Sequence, residues 1–316
     1  MADLRPDREA LLSWLVSPRV VRANGEVLSW WGPGAFAYPE AGGLLLRLLA
    51  QERVAKGCAD AIATWLAQAI DEGRVGRAGR SYTFDLAAVV GGLQPHVVSR
   101  ARPVDAIASA FRKGELAVAD ALAVARAVDA PASERWSTQF GPHMRKVAHF
   151  LRYDPRFRES GLDPLWRATG GDAFDPYAPT PGATATYLHA CLYALEGTAV
   201  LAAARGRADC VAAAMAWLAR LQRPDGGLPA WADGERGFGP TRADTTAQAV
   251  RLWAWLDARE YADAIARGLA WPARATVPGR GVRYSDDCEH QNTWATIFAI
   301  QALDFAEGRL EEVALL

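Results

Sequence analysis

Three stretches of the chain share one pattern, in which an apolar helix leads through a glycine-rich loop into a second helix that opens on Asp or Thr. The stretches are residues 65–93, 217–256 and 269–305. In the second stretch, the apolar run stops at residues 223–227 (Arg-Pro-Asp-Gly-Gly), because proline lacks a backbone donor and glycine permits a positive φ. A recurring helix-loop-helix unit indicates a helical architecture built from repeats.

Candidate helices account for most of the chain. They include residues 184–204, 245–256 and 293–305, whereas strand-like alternation is confined to residues 20–28 and 281–284. Further helices are predicted at residues 104–112, 115–128 and 133–151. Proline and glycine lie at helix junctions rather than in one linker, so we predict a single domain over residues 1–316.

Helical hairpins in series can form a superhelical solenoid, an irregular bundle or an α/α barrel. Residues 184–195 and 294–303 are apolar on nearly every face and therefore need cover all round, which favours the barrel. A solenoid would show a stricter repeat length. The predicted fold is all-α, an α/α barrel (toroid) of about six helical hairpins.

Composition bears on partners and location. A hydrophobic content of 51% allows a substantial core, and a formal net charge of -1 gives no reason to expect nucleic acid or an anionic membrane as partner. Four cysteines without a CxxC pair or zinc-ligand spacing indicate buried thiols in a reducing compartment rather than a disulfide framework. No run approaches the roughly 20 apolar residues that cross a bilayer, and residues 1–21 lack the apolar core of a secretory signal. We expect a cytoplasmic protein with a small-molecule or glycan substrate, and nothing in the sequence indicates an oligomeric state.

Two helix starts in the last third of the chain resemble a known group. Residues 243–249 (Ala-Asp-Thr-Thr-Ala-Gln-Ala) and 293–303 (Thr-Trp-Ala-Thr-Ile-Phe-Ala-Ile-Gln-Ala-Leu) are similar to the inner-helix starts of α/α-toroid proteins, the squalene cyclase and protein prenyltransferase repeat group. This resemblance implies an architecture and not an activity.

A second resemblance spans most of the chain. Residues 36–43, 187–197 and 292–296 resemble, in the same order, marker segments of bacterial α/α-barrel proteins encoded with surface-polysaccharide genes. The resemblance implies a glycan context without a known reaction.

The resemblance to terpenoid enzymes can be compared with their chemistry. Class II terpene cyclases protonate an alkene with the middle Asp of a DxDD motif, but the equivalent residues 241–244 here read Thr-Arg-Ala-Asp and keep only Asp244. The pair Asp286-Asp287 is preceded by Tyr284 at the position that would need Asp. The proton donor of those cyclases is therefore missing.

Protein prenyltransferases hold zinc with Asp, Cys and His ligands. Asp286, Cys288 and His290 supply these residue types, but they are crowded into residues 286–290, whereas the His in that group comes from a distant helix. The alternative is a polar loop with a partly buried cysteine, and we predict no metal. The sequence also lacks nucleotide-loop, zincin and serine-hydrolase signatures, so no cofactor is predicted.

The loops combine carboxylates with aromatic rings, which suits a sugar. Asp and Glu can act as acid, base or hydroxyl acceptor, and aromatic faces stack on the apolar side of a pyranose. Four groups occur: Trp30, Trp31, Tyr38 and Glu40; Tyr82 and Asp85; Trp231, Asp233, Glu235 and Asp244; and Tyr284, Asp286, Asp287, Glu289 and His290. We expect these loops to converge on one mouth of the barrel.

Individual candidates also have structural explanations. Glu40 ranks first as an acid because Pro39 and the following glycine pair would hold it with little freedom, although a helix-capping role is the alternative. Asp85 and Asp244 stand where helix caps belong. His189 is either a hydrogen-bonded core residue or a site residue facing the cavity. The predicted catalytic residues are Glu40, His189, Asp244, Asp287, Glu289 and His290, and the predicted substrate-binding residues are Trp30, Trp31, Tyr38, Tyr82, Asp85, Trp231 and Tyr284.

The first functional hypothesis is an enzyme that acts on a carbohydrate or glycan precursor by carboxylate and histidine acid-base chemistry, as an epimerase, lyase or hydrolase. The second is an isoprenoid-handling toroid with a modified cyclase or transferase site. The third is a non-catalytic helical scaffold that binds a glycan or a protein.

Overall fold

The computed structural model describes residues 4–52, 55–76, 83–93, 185–203, 206–234 and 236–310. The chain divides into two compact units. The first comprises Met1–Val20, Ser29–Phe36 and Asp175–Leu316, and the second comprises Val21–Leu28 and Ala37–Phe174. The single domain over residues 1–316 stays a prediction. The helices predicted at residues 104–112, 115–128 and 133–151, and the candidates Tyr82 and Glu235, lie outside the described residues.

Among the described residues, the regular elements follow one another along the chain. In order they are α1 (Arg8–Leu15), β1 (Trp30–Trp31), α2 (Pro39–Glu52), α3 (Lys56–Asp71), α4 (Thr83–Leu93), β2 (Thr186–Tyr187), α5 (Leu188–Ala203), α6 (Ala212–Leu221), β3 (Leu228–Asp233), β4 (Arg236–Arg242), α7 (Ala243–Asp257), α8 (Ala262–Ala275), β5 (Arg283–Ser285), β6 (Cys288–Asn292) and α9 (Thr293–Ala306). Helices α2 to α4 belong to the second unit, and the other elements belong to the first.

The prediction of an all-α chain is wrong in one respect, because the loops of the first unit pair into an antiparallel sheet. Its six strands lie in the order β1-β6-β5-β4-β3-β2. These strands have two to seven residues and carry Gly, Pro and charged side chains, so the alternation of apolar and polar residues that marks a strand is too short to detect. The helices predicted in the described parts of the chain are present, with ends shifted by a few residues.

Two junctions of the sheet with the helices are built alike. At the end of β4, the Thr246 hydroxyl donates to the Arg242 carbonyl (2.6 Å) and accepts from the Leu228 amide (2.8 Å). At the end of β6, the Thr296 hydroxyl donates to the Asn292 carbonyl (2.7 Å) and accepts from the Val282 amide (3.0 Å). Each threonine therefore ties the start of its helix to both sides of the preceding hairpin.

Helices α7 and α9 form the centre of the first unit. They pack against each other, and α7 also contacts α5, α6 and α8, while α9 contacts α1. The stretch from Ala243 to Trp253 is buried on every face of α7, and α9 is buried nearly throughout. Residues 294–303 of α9 are mostly apolar, as cover on all sides favours, whereas α7 buries Asp244 and Arg251 in charged pairs.

The second unit holds a close helix crossing. A Cβ atom at Gly43 of α2 would lie 2.5 Å from the Ala88 carbonyl oxygen of α4, and one at Gly92 of α4 would lie 2.2 Å from the Gly43 carbonyl oxygen. Only glycine lets the two backbones approach to this distance.

Among the described residues, none of the helices combines the length and the apolar character that crossing a bilayer requires.

Candidate active site

The first unit brings an imidazole, a carboxylate and a guanidinium together where two strands run into helices. Tyr187 ends β2 and His189 is the second residue of α5, while Arg242 ends β4 and Asp244 is the second residue of α7. Because the two strands lie in one sheet and lead directly into neighbouring helices, residues at the same offset from each junction meet.

Asp244 is the most heavily bonded member of this cluster. Its side chain is fully buried, and its Oδ1 atom accepts from Arg242 Nε (3.1 Å) and from the Thr245 backbone amide (2.8 Å). Its Oδ2 atom accepts from Arg242 Nη2 (2.8 Å) and lies 3.1 Å from His189 Nδ1. Asp244 thus has a bidentate partner in Arg242 and holds the imidazole as well.

The charge states of these three groups follow from their surroundings. Burial alone would raise the pKa of Asp244, but the charge of Arg242 and the hydrogen bonds from Arg242 and the Thr245 amide outweigh it and hold this pKa below its ordinary value. Burial would likewise lower the pKa of Arg242, yet Asp244 keeps it raised. Asp244 and Arg242 are therefore a charged pair near neutral pH.

His189 stays neutral beside that pair. Burial lowers the pKa of His189 below its ordinary value, and the negative charge of Asp244 only partly offsets the effect. His189 Nδ1 is hydrogen-bonded to Gln248 Oε1 (3.1 Å), and the ionised Asp244 carboxylate also faces this nitrogen at 3.1 Å, so Nδ1 carries the proton. A neutral imidazole protonated on Nδ1 has its lone pair on Nε2, and His189 is thereby prepared as a general base.

A third side chain fixes the orientation of His189. Gln248 lies one turn after Asp244 on α7, and its Oε1 atom is 3.1 Å from His189 Nδ1. Behind the imidazole, the Tyr193 ring packs edge-on with its centroid 4.6 Å away. The imidazole side chain is 12% exposed, so it keeps a small opening to solvent.

Aromatic rings line the exposed side of the cluster. The Tyr187 ring lies 4.7 Å from Trp231, which is 37% exposed. On the other side, the Arg242 guanidinium sits 3.7 Å above the centre of the Tyr284 ring. The cluster therefore passes from a buried carboxylate, through the imidazole, to half-exposed aromatic surfaces.

The structure brings four of the predicted site residues into one network. His189 and Asp244 are in direct contact, while Trp231 and Tyr284 join them through Tyr187 and Arg242. Sequence reasoning assigned no role to the residues that connect them. These are Tyr187, Arg242 and Gln248. The sequence feature that could have indicated them is their position, since Tyr187 lies two residues before His189 and Arg242 lies two residues before Asp244.

Other candidates of the first unit lie in separate contacts. Trp30 and His290 stack with an interplanar angle of 5° and ring centroids 5.6 Å apart. Trp31, on the edge strand β1, is 38% exposed. The Asp287 carboxylate accepts from the Ser285 hydroxyl (2.5 Å), and Glu289 pairs with Arg283 at 3.3 Å. Catalytic roles for Asp287, Glu289 and His290 and binding roles for Trp30 and Trp31 stay predictions.

The remaining candidates belong to the second unit. Glu40 lies in the first turn of α2 and is buried, and Asp85 lies in the first turn of α4. The Tyr38 hydroxyl contacts Asp85 Oδ1 at 3.2 Å. The roles of Tyr38, Glu40 and Asp85 also stay predictions.

The loop with Asp286, Cys288 and His290 carries the residue types of a zinc site, but a metal is not predicted from the sequence. In the part of the chain that the structure describes, no group of three or more His, Cys, Asp or Glu side chains is arranged to hold a metal ion. Asp286 instead accepts from the Thr241 amide at 3.1 Å.

Comparison with known proteins relates the chain to two kinds of solved structure. The type II terpene cyclase MstE from Scytonema is 14% identical with a TM-score of 0.59, over 96% of this chain and 97% of that one. The GH76A alpha-1,6-mannanase from Salegentibacter is 10% identical with a TM-score of 0.57, over 95% and 98%. A glycosidase in complex with glucose is 14% identical with a TM-score of 0.56, over 95% of this chain and 98% of that one.

At the level of sequence, no protein family and no curated protein matches the chain. These neighbours confirm the resemblance to α/α-toroid proteins and establish that fold, to which the antiparallel sheet is added.

Proposed function

We propose that the protein is an enzyme that acts on a carbohydrate or glycan precursor by acid-base chemistry, with His189 as the general base and Asp244 as the residue that positions it. The environment of His189 Nδ1 carries this proposal, because the hydrogen bond to Gln248 Oε1 and the charge of Asp244 at 3.1 Å favour the tautomer that leaves Nε2 basic. The half-exposed Trp231 beside Tyr187 adds a ring on which a pyranose can stack.

The neighbours of known structure agree with a sugar substrate without deciding it. A glycosidase in complex with glucose and an alpha-1,6-mannanase share the fold, and so does a type II terpene cyclase. The chemistry of the cluster separates the two possibilities. Protonation of an alkene needs a protonated carboxylic acid, whereas the charge and hydrogen bonds of Arg242 hold the pKa of Asp244 low and keep the group ionised. A base is therefore better supported than a cyclase acid.

The biological setting is part of the same proposal. A role in surface-polysaccharide metabolism rests on the resemblance of residues 36–43, 187–197 and 292–296 to proteins encoded with such genes. The proposed cytoplasmic location rests on four cysteines without the spacing of a disulfide framework, and the expectation of no nucleic-acid partner rests on the net charge of -1.

Turnover of a sugar panel tests the proposal. The purified protein is incubated in D2O with neutral and acidic oligosaccharides and with a geranylgeranyl compound, and products and deuterium incorporation are followed by NMR and mass spectrometry. We expect a sugar to react, and His189→Ala to reduce the rate about 10²- to 10⁴-fold. Asp263→Asn, an exposed carboxylate of α8, serves as control and should leave the rate unchanged. Conversion of the isoprenoid alone, or of nothing, would contradict the proposal.

A further inference from the structure

Tyr187 and His189 face the same region of the first unit from one junction. They are separated by one residue where β2 becomes α5, and their ring centroids are 6.0 Å apart. The Tyr187 hydroxyl is bonded to Arg242 Nη1 at 3.1 Å. One guanidinium thus connects the phenol to the carboxylate that positions the imidazole.

The direction of the Tyr187 hydrogen bond matters for its chemistry. A guanidinium has donors only, so the phenol oxygen accepts from Arg242 and the phenol keeps its own proton. A positive charge at this distance also stabilises the phenolate that remains after a proton has been given away. Both effects suit Tyr187 to act as a general acid.

From this geometry we infer that Tyr187 is the proton donor opposite the base His189, and that the substrate is a uronate-containing glycan cleaved by β-elimination. The inference rests on the proposed function and narrows it to one substrate class and one reaction. It also assigns a catalytic role to Tyr187, which is not among the site residues predicted from the sequence.

Hydrolysis fits the cluster less well than elimination. Glycoside hydrolysis uses two carboxylates that flank the scissile bond. In the described part of the first unit, the carboxylate in contact with His189 is Asp244, which is fully buried and paired with Arg242, so it can neither reach a sugar nor give it a proton. A neutral imidazole and a phenol are instead suited to removing a carbon-bound proton and protonating a leaving oxygen.

The need for a carboxylate on the substrate follows from the acidity of carbon. A C–H proton leaves readily only if the charge can spread into an adjacent carbonyl group, which a uronate provides and a neutral pyranose does not. Arg242 supplies a positive charge there, and its contacts with Asp244 and Tyr187 leave one N–H on each terminal nitrogen. We expect the substrate carboxylate to bind on that side.

The reaction balances without a cofactor. His189 Nε2 takes the proton from the carbon next to the carboxylate, and the C–H electron pair becomes a C=C bond. The glycosidic C–O bond at the next carbon breaks, and the leaving oxygen takes the proton of the Tyr187 hydroxyl. The products are an unsaturated uronate and a free hydroxyl, and transfer of a proton from imidazolium to phenolate restores the site.

Elimination is also favoured over epimerisation by the placement of the two groups. Inversion at one carbon needs an acid and a base on opposite faces of the sugar ring. Tyr187 and His189 come from one junction, with ring centroids 6.0 Å apart and an interplanar angle of 61°, and we infer that both groups approach the substrate from one face. This arrangement suits removal of a proton and loss of an oxygen from adjacent carbons.

The test uses oligogalacturonate and oligomannuronate together with the matching neutral galacto- and manno-oligosaccharides. Elimination gives a C=C bond conjugated to a carboxylate, which is detected by ultraviolet absorbance. We expect absorbance from at least one uronate and none from the neutral sugars. Tyr187→Phe should slow cleavage about 10²- to 10⁴-fold, yet retain exchange of the C–H proton with deuterium, which His189→Ala should lose. Tyr261→Phe, a buried tyrosine that packs on Trp253, is the matched control and should cleave at the normal rate.

The outcomes distinguish this inference from the function on which it rests. A neutral sugar that reacts in a His189-dependent manner while both uronates stay intact overturns the inference and leaves the proposed function standing. Full cleavage by Tyr187→Phe removes Tyr187 as donor. A protein that turns over no sugar at all removes both the inference and the proposed function.

Discussion

His189 Nδ1 lies 3.1 Å from Asp244 Oδ2 and the same distance from Gln248 Oε1, so one imidazole nitrogen faces acceptors on two successive turns of α7. A single N–H can serve both acceptors, and rotation of the imidazole would break both contacts at once. The geometry of the base is therefore determined by a helix that is itself buried on every face around Asp244.

Replacement of the carboxylate should disable the base without removing it. In Asp244→Asn, Gln248 Oε1 still accepts from Nδ1, but the negative charge that stabilises the imidazolium formed during proton abstraction is lost. We expect the rate constant to fall about 10²- to 10⁴-fold with a smaller change in KM. Asp263→Asn is the matched control, and an Asp244→Asn variant with normal kcat would exclude this role.

The stability and the activity of the protein should both depend on pH as expected for a buried, neutral histidine. Since burial lowers the pKa of His189, the unfolded chain binds a proton on this residue below about pH 6.5 while the folded chain does not. The stabilisation from neutral His189 is thus complete above that pH and decreases as the pH falls toward the folded pKa. Activity should likewise lose its base only below pH 6.5.

NMR titration of the His189 imidazole and the pH-rate profile measure this directly. In Asp244→Asn the negative charge that raises the pKa of His189 is gone, so the residual acidic limb should move to still lower pH. The described site would be contradicted if wild-type activity fell on the acidic side of the profile with an apparent pKa at or above 6.5. It would also be contradicted if that apparent pKa rose in Asp244→Asn.

The repeat seen in the sequence has a structural basis at the strand-helix junctions. Residues placed two after the last strand residue recur as His189 and Asp244, and threonines four after it recur as Thr246 and Thr296 with equivalent hydrogen bonds. Because a helix start presents the same face at the same offset, the sequence pattern predicts the helices in the described residues, while the convergence of the loops on one mouth stays a prediction.

The partners of His189 were beyond sequence reasoning for a physical reason. Arg242 contacts Asp244 from the adjacent strand end. Whether Tyr187 lies near Arg242 depends on the order of the strands in the sheet, and strands of two to seven residues are too short for the sequence to indicate that order. The sequence also suggests a helix cap at Asp244. Its carboxylate does accept a hydrogen bond from the Thr245 amide, but it accepts two from the Arg242 guanidinium.

Tyr187 and Trp231 should contribute to binding through their contact. Trp231→Ala removes a half-exposed ring that packs 4.7 Å from Tyr187, so we expect KM for a sugar substrate to rise about 10-fold, with a smaller effect on kcat. Trp255→Phe, on the half-buried side of α7, controls for loss of an indole elsewhere. Unchanged KM in Trp231→Ala would remove Trp231 from the substrate site.

The helix crossing in the second unit should tolerate no side chain. Gly43→Ala would place a Cβ atom 2.5 Å from the Ala88 carbonyl, and the backbones must separate to admit it, at a cost of about 1–3 kcal/mol in the free energy of unfolding. Gly57→Ala is the matched control, because nothing lies within 4 Å of its Cβ position on α3, and helix propensity predicts a gain of roughly 0.5–1 kcal/mol. Urea denaturation compares the two, and equal effects would contradict the crossing.

A buried ion pair below the site offers a test of the first unit's core. Arg251 contacts Glu196 and Gln301 and lies 4.3 Å above the centre of the Phe298 ring, and the Arg251 and Glu196 side chains are 1% and 0% exposed. Removal of one partner leaves a charge inside the protein, so Glu196→Gln or Arg251→Met alone should cost about 3–5 kcal/mol of unfolding free energy.

The double variant separates charge burial from packing. With both charges removed, we expect a loss well below the sum of the two single losses, because no unpaired charge is left inside. Arg207→Met, which breaks the exposed pair with Asp209, should change the free energy by less than about 1 kcal/mol. Additive losses in the double variant would show that Arg251 and Glu196 do not compensate each other, and the buried pair would then have no part in holding α5 against α7.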